Sequence, residues 1–167
     1  MKTIIAVLPI FIKGKGICSQ IYYEDKIVTD RRSCENVLKN LCDANNISKK
    51  TMKRTVKSII KIKRNMPWVI DQNHVFFPVT INVSEFPELR RGFINCNFVK
   101  EIEDNDVVLV TDERIRTLVS QEALNTNLVL ANYLMYRLKY QNLKNFIIGD
   151  GIGLKAKILQ DKGYKLY

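Results

Sequence analysis

The stretch Trp68-Val69-Ile70-Asp71-Gln72-Asn73-His74-Val75-Phe76-Phe77-Pro78-Val79 decides the fold class. Its two ends are rich in β-branched and aromatic residues, and they flank the polar residues Asp71-Gln72-Asn73. Two such runs around a short polar turn are typical of a β-hairpin. The stretch therefore predicts two antiparallel strands, and the same pattern recurs on both sides of it.

Toward the N-terminus, the sequence predicts three further strands. Lys2–Ile12 is dense in apolar residues and, with Pro9, suits a buried strand that ends in an edge or a bend. Lys13-Gly14-Lys15-Gly16 predicts a turn, Ile17–Tyr23 the second arm of a hairpin, and Ile27-Val28-Thr29 a short third strand. A secretion signal is the alternative for the apolar N-terminus, but lysines follow it at once and no small-residue cleavage site is present.

Toward the C-terminus, a third hairpin is predicted. Phe86-Pro87 opens a loop that ends in Arg90-Arg91-Gly92. Phe93–Ile102 and Val107–Thr111 then flank the acidic turn Glu103-Asp104-Asn105-Asp106.

Apolar spacing predicts two helices. Ser33 is a good N-cap for a short helix near 33–46, which ends at Asn45-Asn46. A long helix runs from an N-cap at Ser120 to about Leu143, near 120–143. The two apolar faces are Cys34, Val37, Leu38, Leu41 and Cys42 in the first helix, and Leu124, Leu128, Ala131, Met135 and Leu138 in the second. We expect the second face to pack on the sheet, the alternative being burial against a second subunit.

These elements predict an α+β fold with a strand-rich N-terminal and central part. Its hairpins would form an antiparallel sheet or a partly open barrel. We expect a single domain over 1–145 and a C-terminal tail over 146–167, in which a short helix at 154–162 is an option. Gly149-Asp150-Gly151-Ile152-Gly153 lacks the spacing of a dinucleotide-binding loop and predicts a flexible connection.

Composition bounds the classes of protein to consider. A hydrophobic content of 46% argues against disorder, and no apolar run approaches the ~20 residues of a membrane span. The four cysteines form no Cys-x-x-Cys pair and only one histidine is present, which does not match a structural zinc site. We expect reduced thiols that serve as small apolar residues, a cytoplasmic protein, and neither a metal nor a cofactor.

The positive charge is concentrated in one part of the chain. Residues 1–67 carry 15 basic and 5 acidic residues, whereas 68–167 carry 12 of each. The densest segment, Ser48–Pro67, has eight Lys or Arg residues and no acid. Such a run is often only a solvated face. Self-repulsion disfavours this concentration in a compact protein, however, and a polyanionic partner that releases counterions would compensate for it.

The candidate DNA-binding residues follow from this charge. We predict that they are Lys49, Lys50, Lys53, Arg54, Lys57, Lys61, Lys63 and Arg64 on phosphates, with Arg90 and Arg91 reaching an A·T-rich minor groove. Lys49–Thr55 shows no clear period and is interpreted as loop or frayed helix. For Val56–Lys63 a strand is preferred over a helix, because Ile60-Lys61-Ile62-Lys63 alternates.

Two other classes of function need to be weighed. Aromatic residues among the basic ones can stack single-stranded bases, although Trp68, Phe76 and Phe77 are expected in the core. No catalytic constellation is evident, because His74 is a lone histidine and Glu101–Asp106 lacks the second acidic cluster of a two-metal nuclease site. An enzyme is therefore not expected.

Several segments, in this order, resemble the competence transcription factor (ComK-like) family. They are Ile5-Ala6-Val7-Leu8-Pro9, Gly16-Ile17-Cys18-Ser19, Arg32-Ser33-Cys34, Met66-Pro67-Trp68-Val69-Ile70-Asp71, Val75-Phe76-Phe77-Pro78, Gly92-Phe93-Ile94-Asn95 and Val99-Lys100-Glu101. The chain departs from the family near 39–51, where lysines replace a glycine-containing region, and at Phe93, where the family has Trp.

The resemblance implies a DNA-binding activator of competence (DNA-uptake) genes. That family binds paired A-run/T-run boxes through the minor groove as dimers that pair into tetramers, and a Clp-protease adaptor typically controls it. We therefore expect a regulator that binds A·T-rich double-stranded DNA, forms a homodimer or tetramer, and is associated with the nucleoid rather than a membrane. The alternatives are a single-stranded nucleic-acid or RNA binder, and a divergent paralogue that acts as a protein-interaction regulator.

Overall fold

The computed structural model describes residues 2–83 and 90–149. Within them the chain forms nine strands and three α-helices, so the predicted α+β class is confirmed. The strands are β1 (Ala6–Ile12), β2 (Gly16–Tyr22), β3 (Ile27–Asp30), β4 (Trp68–Asp71), β5 (His74–Thr80), β6 (Arg91–Asn95), β7 (Val99–Glu103), β8 (Asp106–Leu109) and β9 (Arg114–Arg116). The helices are α1 (Cys34–Ala44), α2 (Lys49–Ile59) and α3 (Gln121–Gly149). The loop expected at Phe86-Pro87 and the tail after Gly149 lie outside the described residues.

The strands form two antiparallel sheets. The larger has the order β3-β2-β1-β6-β5-β4 and the smaller the order β7-β8-β9. Of the two arrangements expected for the hairpins, the antiparallel sheet is the one observed. The hairpin of β1 and β2 turns at Gly14 and Gly16, whose φ angles of +79° and +78° are strained for other residues.

Gly92 allows the long-range pairing at the centre of the larger sheet. β6 pairs with β1 at Val7 and Ala6, and this pairing stops before Pro9, which has no N–H to donate. A Cβ atom at Gly92 would lie 2.9 Å from Leu8 Cδ2 and 3.2 Å from the Val7 carbonyl oxygen. Only a glycine fits this close approach of the two strands without a shift.

The predicted strand Phe93–Ile102 is interrupted. The chain leaves the larger sheet at Asn95, makes a 3-10 helix over Cys96–Phe98, and enters the smaller sheet as β7. The buried Asn95 side chain donates hydrogen bonds to the carbonyls of Ile4 (3.0 Å) and Asn73 (2.8 Å) and accepts one from the Asn97 N–H (3.2 Å). The apolar pattern of the sequence does not predict this break, because the residues before and after the 3-10 helix are both typical of a strand.

Helices α1 and α3 agree with their predicted caps and faces. The Ser33 side chain accepts a hydrogen bond from the Asn36 N–H, and α1 ends at Asn45. The Ser120 hydroxyl accepts one from the Ala123 N–H, and α3 continues to Gly149, beyond the predicted end. All five residues of the first face are buried, and the second face packs on the core. Every residue of β5 from His74 to Val79 is buried, and α3 packs against this strand.

The prediction for the basic segment was wrong. Lys49–Thr55 is neither loop nor frayed, and Val56 begins no strand, because the helix α2 covers Lys49–Ile59 and residues 60–63 form no strand. Ser48 caps it by accepting a hydrogen bond from the Thr51 N–H at 3.1 Å. Met52 and Val56 are buried four residues apart, and this helical spacing outweighs the short alternation that follows.

The four cysteines are free and buried, as expected for small apolar core residues. Burial raises the pKa of Cys34 and of Cys42 to about 11, and that of Cys96 to about 12. These thiols are therefore protonated near neutral pH. Among the described helices, none has both the length and the apolar character needed to cross a bilayer.

Candidate nucleic-acid interface

A groove of about 380 Å³ opens between α2, the segment 60–67 and the exposed end of β6. Six of the ten predicted cations line it, and we call it the basic groove: Lys49, Lys53, Lys57, Lys63, Arg64 and Arg91. Glu35 is the single acidic residue among the described residues that line it. Cations from three separate parts of the chain therefore converge on one concave surface.

The first wall of the groove is one side of α2. Lys49, Lys53 and Lys57 are spaced four residues apart, which places them in one row along the helix. Met52 and Val56 are buried below this row and fix the rotation of α2 on the core. The row therefore faces the groove because the apolar residues face inward.

The second wall is the segment that joins α2 to β4. It carries Lys63 and Arg64, followed by Asn65, whose φ of 51° lies in the left-handed region that asparagine tolerates better than most residues. The Arg91 guanidinium donates a hydrogen bond from Nη2 to Asn65 Oδ1 at 3.3 Å. This contact joins the start of β6 to a segment 26 residues earlier in the chain.

Trp68 also lines the groove. The indole is 5% exposed and packs edge-on against Phe93, with ring centroids 5.9 Å apart. The Lys49 ammonium lies 5.1 Å from the indole centroid and donates a hydrogen bond to Glu35 Oε2 at 3.1 Å. Lys49 is thus held by an aromatic ring and a carboxylate at once.

The other four predicted cations lie outside the basic groove. Lys50 and Arg54 are exposed on α2 beside the groove-facing row, and Lys61 is exposed in the following segment. Arg90 is half-buried next to the undescribed residues 84–89. Of the ten residues, Lys49 and Arg90 are half-buried and the other eight are exposed. Only the tertiary structure separates those that converge from those that do not.

The aromatic residues expected in the core are there. Trp68, Phe76 and Phe77 are buried, so none of the three offers a free ring face for a base. His74 is buried as well, with Nδ1 within 3.0 Å of both Asp71 carboxylate oxygens and its ring stacked on Phe76.

Two acids of the third hairpin are engaged in ion pairs. Glu103 pairs with Arg114, and Asp106 pairs with Arg114 and Arg116 of β9. The described part of the chain holds no group of three or more His, Cys, Asp or Glu side chains placed to bind a metal ion.

The sequence did not predict two of the residues that line the groove. Glu35 was visible only as an acid in the first turn of α1, a position that favours negative charge for any helix. Asn65 was visible only as a polar residue before Met66-Pro67. Both enter the site through contacts with residues distant in the sequence.

A scan against models of known protein families, a search of curated proteins and a search of solved structures found no match to this chain.

Proposed function

We propose that this protein is a regulator of transcription that binds double-stranded DNA and seats one phosphate backbone in the basic groove. The observation that carries the proposal is the convergence of Lys53, Lys57, Lys63, Arg64 and Arg91 around a groove with one acid. Each Lys or Arg that neutralises a phosphate releases counterions, which favours binding without reading sequence. A concave surface lined by one sign of charge also focuses the field and speeds association.

The groove is too small for a duplex, so the duplex would lie across its mouth. One strand would run between Lys53 and Lys57 on α2 and the second wall of the groove. Arg91 is exposed at this mouth, and Asn65 orients its guanidinium. An arginine presented in this way suits a narrow A·T-rich minor groove, whose negative potential is enhanced.

The resemblance to the competence regulators gives this proposal its biological class. It implies activation of DNA-uptake genes, assembly into dimers or tetramers, control by a Clp-protease adaptor, and a cytoplasmic, nucleoid-associated protein. A single-strand binder is the less favoured alternative, because the buried Trp68, Phe76 and Phe77 cannot stack bases.

Fluorescence anisotropy on three labelled probes tests the proposal. One duplex carries two A-run/T-run boxes, the second has the same length and is G·C-rich, and the third probe is a single strand. We expect the boxed duplex to be preferred by ~10³ or more at near-physiological salt. Equal affinity for all three probes would reduce the protein to a general polyanion binder, and no binding would support a protein-interaction regulator instead.

The substitution Arg91→Ala tests the minor-groove contact. If Arg91 enters the minor groove, the loss of affinity on A·T-rich duplex should exceed the loss on G·C-rich duplex by about tenfold, because narrow A·T grooves attract arginine more strongly. Anisotropy titrations of the variant on both duplexes give this ratio. The control is Arg54→Ala, which removes an exposed arginine outside the groove. An equal loss on both duplexes would show that Arg91 contacts only phosphate.

A further inference from the structure

Glu35 is out of place in a surface that binds phosphate. Glu35 lines the basic groove, and its side chain is 48% exposed to solvent. A carboxylate this close to a phosphate would repel it. Glu35 therefore either weakens binding without compensation or acts on a neighbouring group.

The neighbouring group is Lys49, which differs from the other lysines of its row. Lys49 Nζ lies 3.1 Å from Glu35 Oε2 and over the Trp68 ring, and its side chain is only 36% exposed. No carboxylate in the described part of the chain lies within ion-pair distance of Lys53 or Lys57. Those two lysines keep their charges for a ligand, whereas that of Lys49 is already partnered.

Lys49 also sits in the first turn of α2, where the helix dipole disfavours a cation. The carboxylate of Glu35 and the indole of Trp68 offset this unfavourable position. Moving Lys49 onto a phosphate would break both contacts and leave Glu35 unpaired beside a polyanion. Both contacts therefore favour the pairing of Lys49 with Glu35 over a contact of Lys49 with phosphate.

We propose that Glu35 is an internal counter-anion that holds Lys49 on Trp68 and keeps it out of the phosphate-contacting set. Glu35 thereby limits the affinity and the salt dependence of the groove and directs the bound strand toward Lys53 and Lys57. The inference rests on the proposed function, since it concerns the same groove. It predicts that removing the carboxylate strengthens binding to DNA.

The substitution Glu35→Gln should release Lys49 and add one phosphate contact. The slope of log K against log salt should then steepen by about 0.9. Lowering the salt from about 200 mM to about 50 mM should accordingly strengthen the variant three- to fourfold more than the wild type, on any duplex. The gain should disappear in the double variant Glu35→Gln/Lys49→Gln. Lys49→Gln in the wild-type background should change the slope by less than about 0.3, because Lys49 makes no phosphate contact there.

The matched control is Asp43→Asn. It removes one negative charge from the same helix, but Asp43 lies eight residues further along α1 and does not line the groove. At about 1.5 Å per residue this is more than one Debye length away at physiological salt, so its effect on the slope should be negligible. A gain of slope in Glu35→Gln but not in Asp43→Asn would support the inference, and equal slopes in the two variants would overturn it.

Lys49→Gln provides a second criterion that does not need the Glu35 variant to fold. A loss of slope of about 0.9 in this variant alone would show that Lys49 already contacts phosphate, and would overturn the inference. Either result, equal slopes in Glu35→Gln and Asp43→Asn or a loss of slope in Lys49→Gln, would leave duplex binding by the wild type intact. If the wild type itself shows no salt-dependent binding to duplex, the proposed function fails, and the inference fails with it.

Discussion

The double variant Lys53→Gln/Lys57→Gln is expected to bind duplex DNA about thirtyfold more weakly than the wild type at about 0.15 M salt. Both lysines line the basic groove and have no ion-pair partner among the described residues. The loss of two phosphate contacts should also flatten the slope of log K against log salt by about 1.8. Because phosphate contacts carry no sequence information, the loss should be the same on A·T-rich and G·C-rich duplexes. Anisotropy titrations at several salt concentrations measure both quantities.

A charge-matched variant separates the groove from the charge of the helix. Lys50→Gln/Arg54→Gln removes two cations from the same helix, α2, but from positions outside the groove. Its effect should stay below about threefold, because neither side chain lines the groove and an exposed charge without a direct phosphate contact is partly screened by salt. Equal losses in the two double variants would contradict the assignment of the groove and would favour diffuse attraction to the whole helix.

Much of the fold could be predicted because its signals are local. Ser33 and Ser120 cap helices through hydrogen bonds to residues three positions away, and the hairpin turn at Gly14 lies between the strands that it joins. Apolar spacing predicted the buried face of α1 completely. Such features depend on neighbours in sequence, which the pattern displays directly.

The secondary-structure predictions were wrong where contacts between residues distant in the sequence determine the structure. The helix α2 owes its stability to burial of Met52 and Val56 on elements formed elsewhere, whereas the alternation after Ile59 suggested a strand. β9 is only three residues long, and it is held by pairing with β8 rather than by any pattern of its own. The strand break at Asn95 has the same origin, since its hydrogen-bond partners include Ile4 and Asn73.

The candidate site divides in the same way. Counting charges was enough to find the lysines of α2, because a run of cations can be recognised in the sequence alone. The meeting of Lys53 with Lys63 and Arg91 required the fold, since β6 must first pair beside β5 and bring Arg91 to the groove. Lys49 illustrates the limit of charge counting, because its partner Glu35 lies on another helix, 14 residues earlier in the chain.

Asn95 gives the largest expected effect on stability. The substitution Asn95→Ala should lower the free energy of unfolding by about 4 kcal/mol. The buried Ile4 carbonyl left without a partner costs about 1–3 kcal/mol, and each of the two part-buried hydrogen bonds that are lost contributes about 0.5–1.5 kcal/mol. The groups concerned are the carbonyls of Ile4 and Asn73 and the N–H of Asn97. For a chain of this size, the melting temperature should fall by roughly 8–16 °C. Thermal unfolding followed by circular dichroism measures this shift.

The control for this prediction is Asn97→Ala, two residues further along the same turn. The Asn97 side chain is only partly buried and donates one long hydrogen bond, of 3.4 Å, to the Gln72 carbonyl. Its loss should cost less than about 1 kcal/mol, because water can replace the partner. If the two variants have the same melting temperature, the Asn95 side chain does not stabilise the chain segment that passes from one sheet to the other. If only Asn95→Ala is destabilised, the polar contacts at this crossing fix the end of β6, the strand whose other end presents Arg91 to the groove.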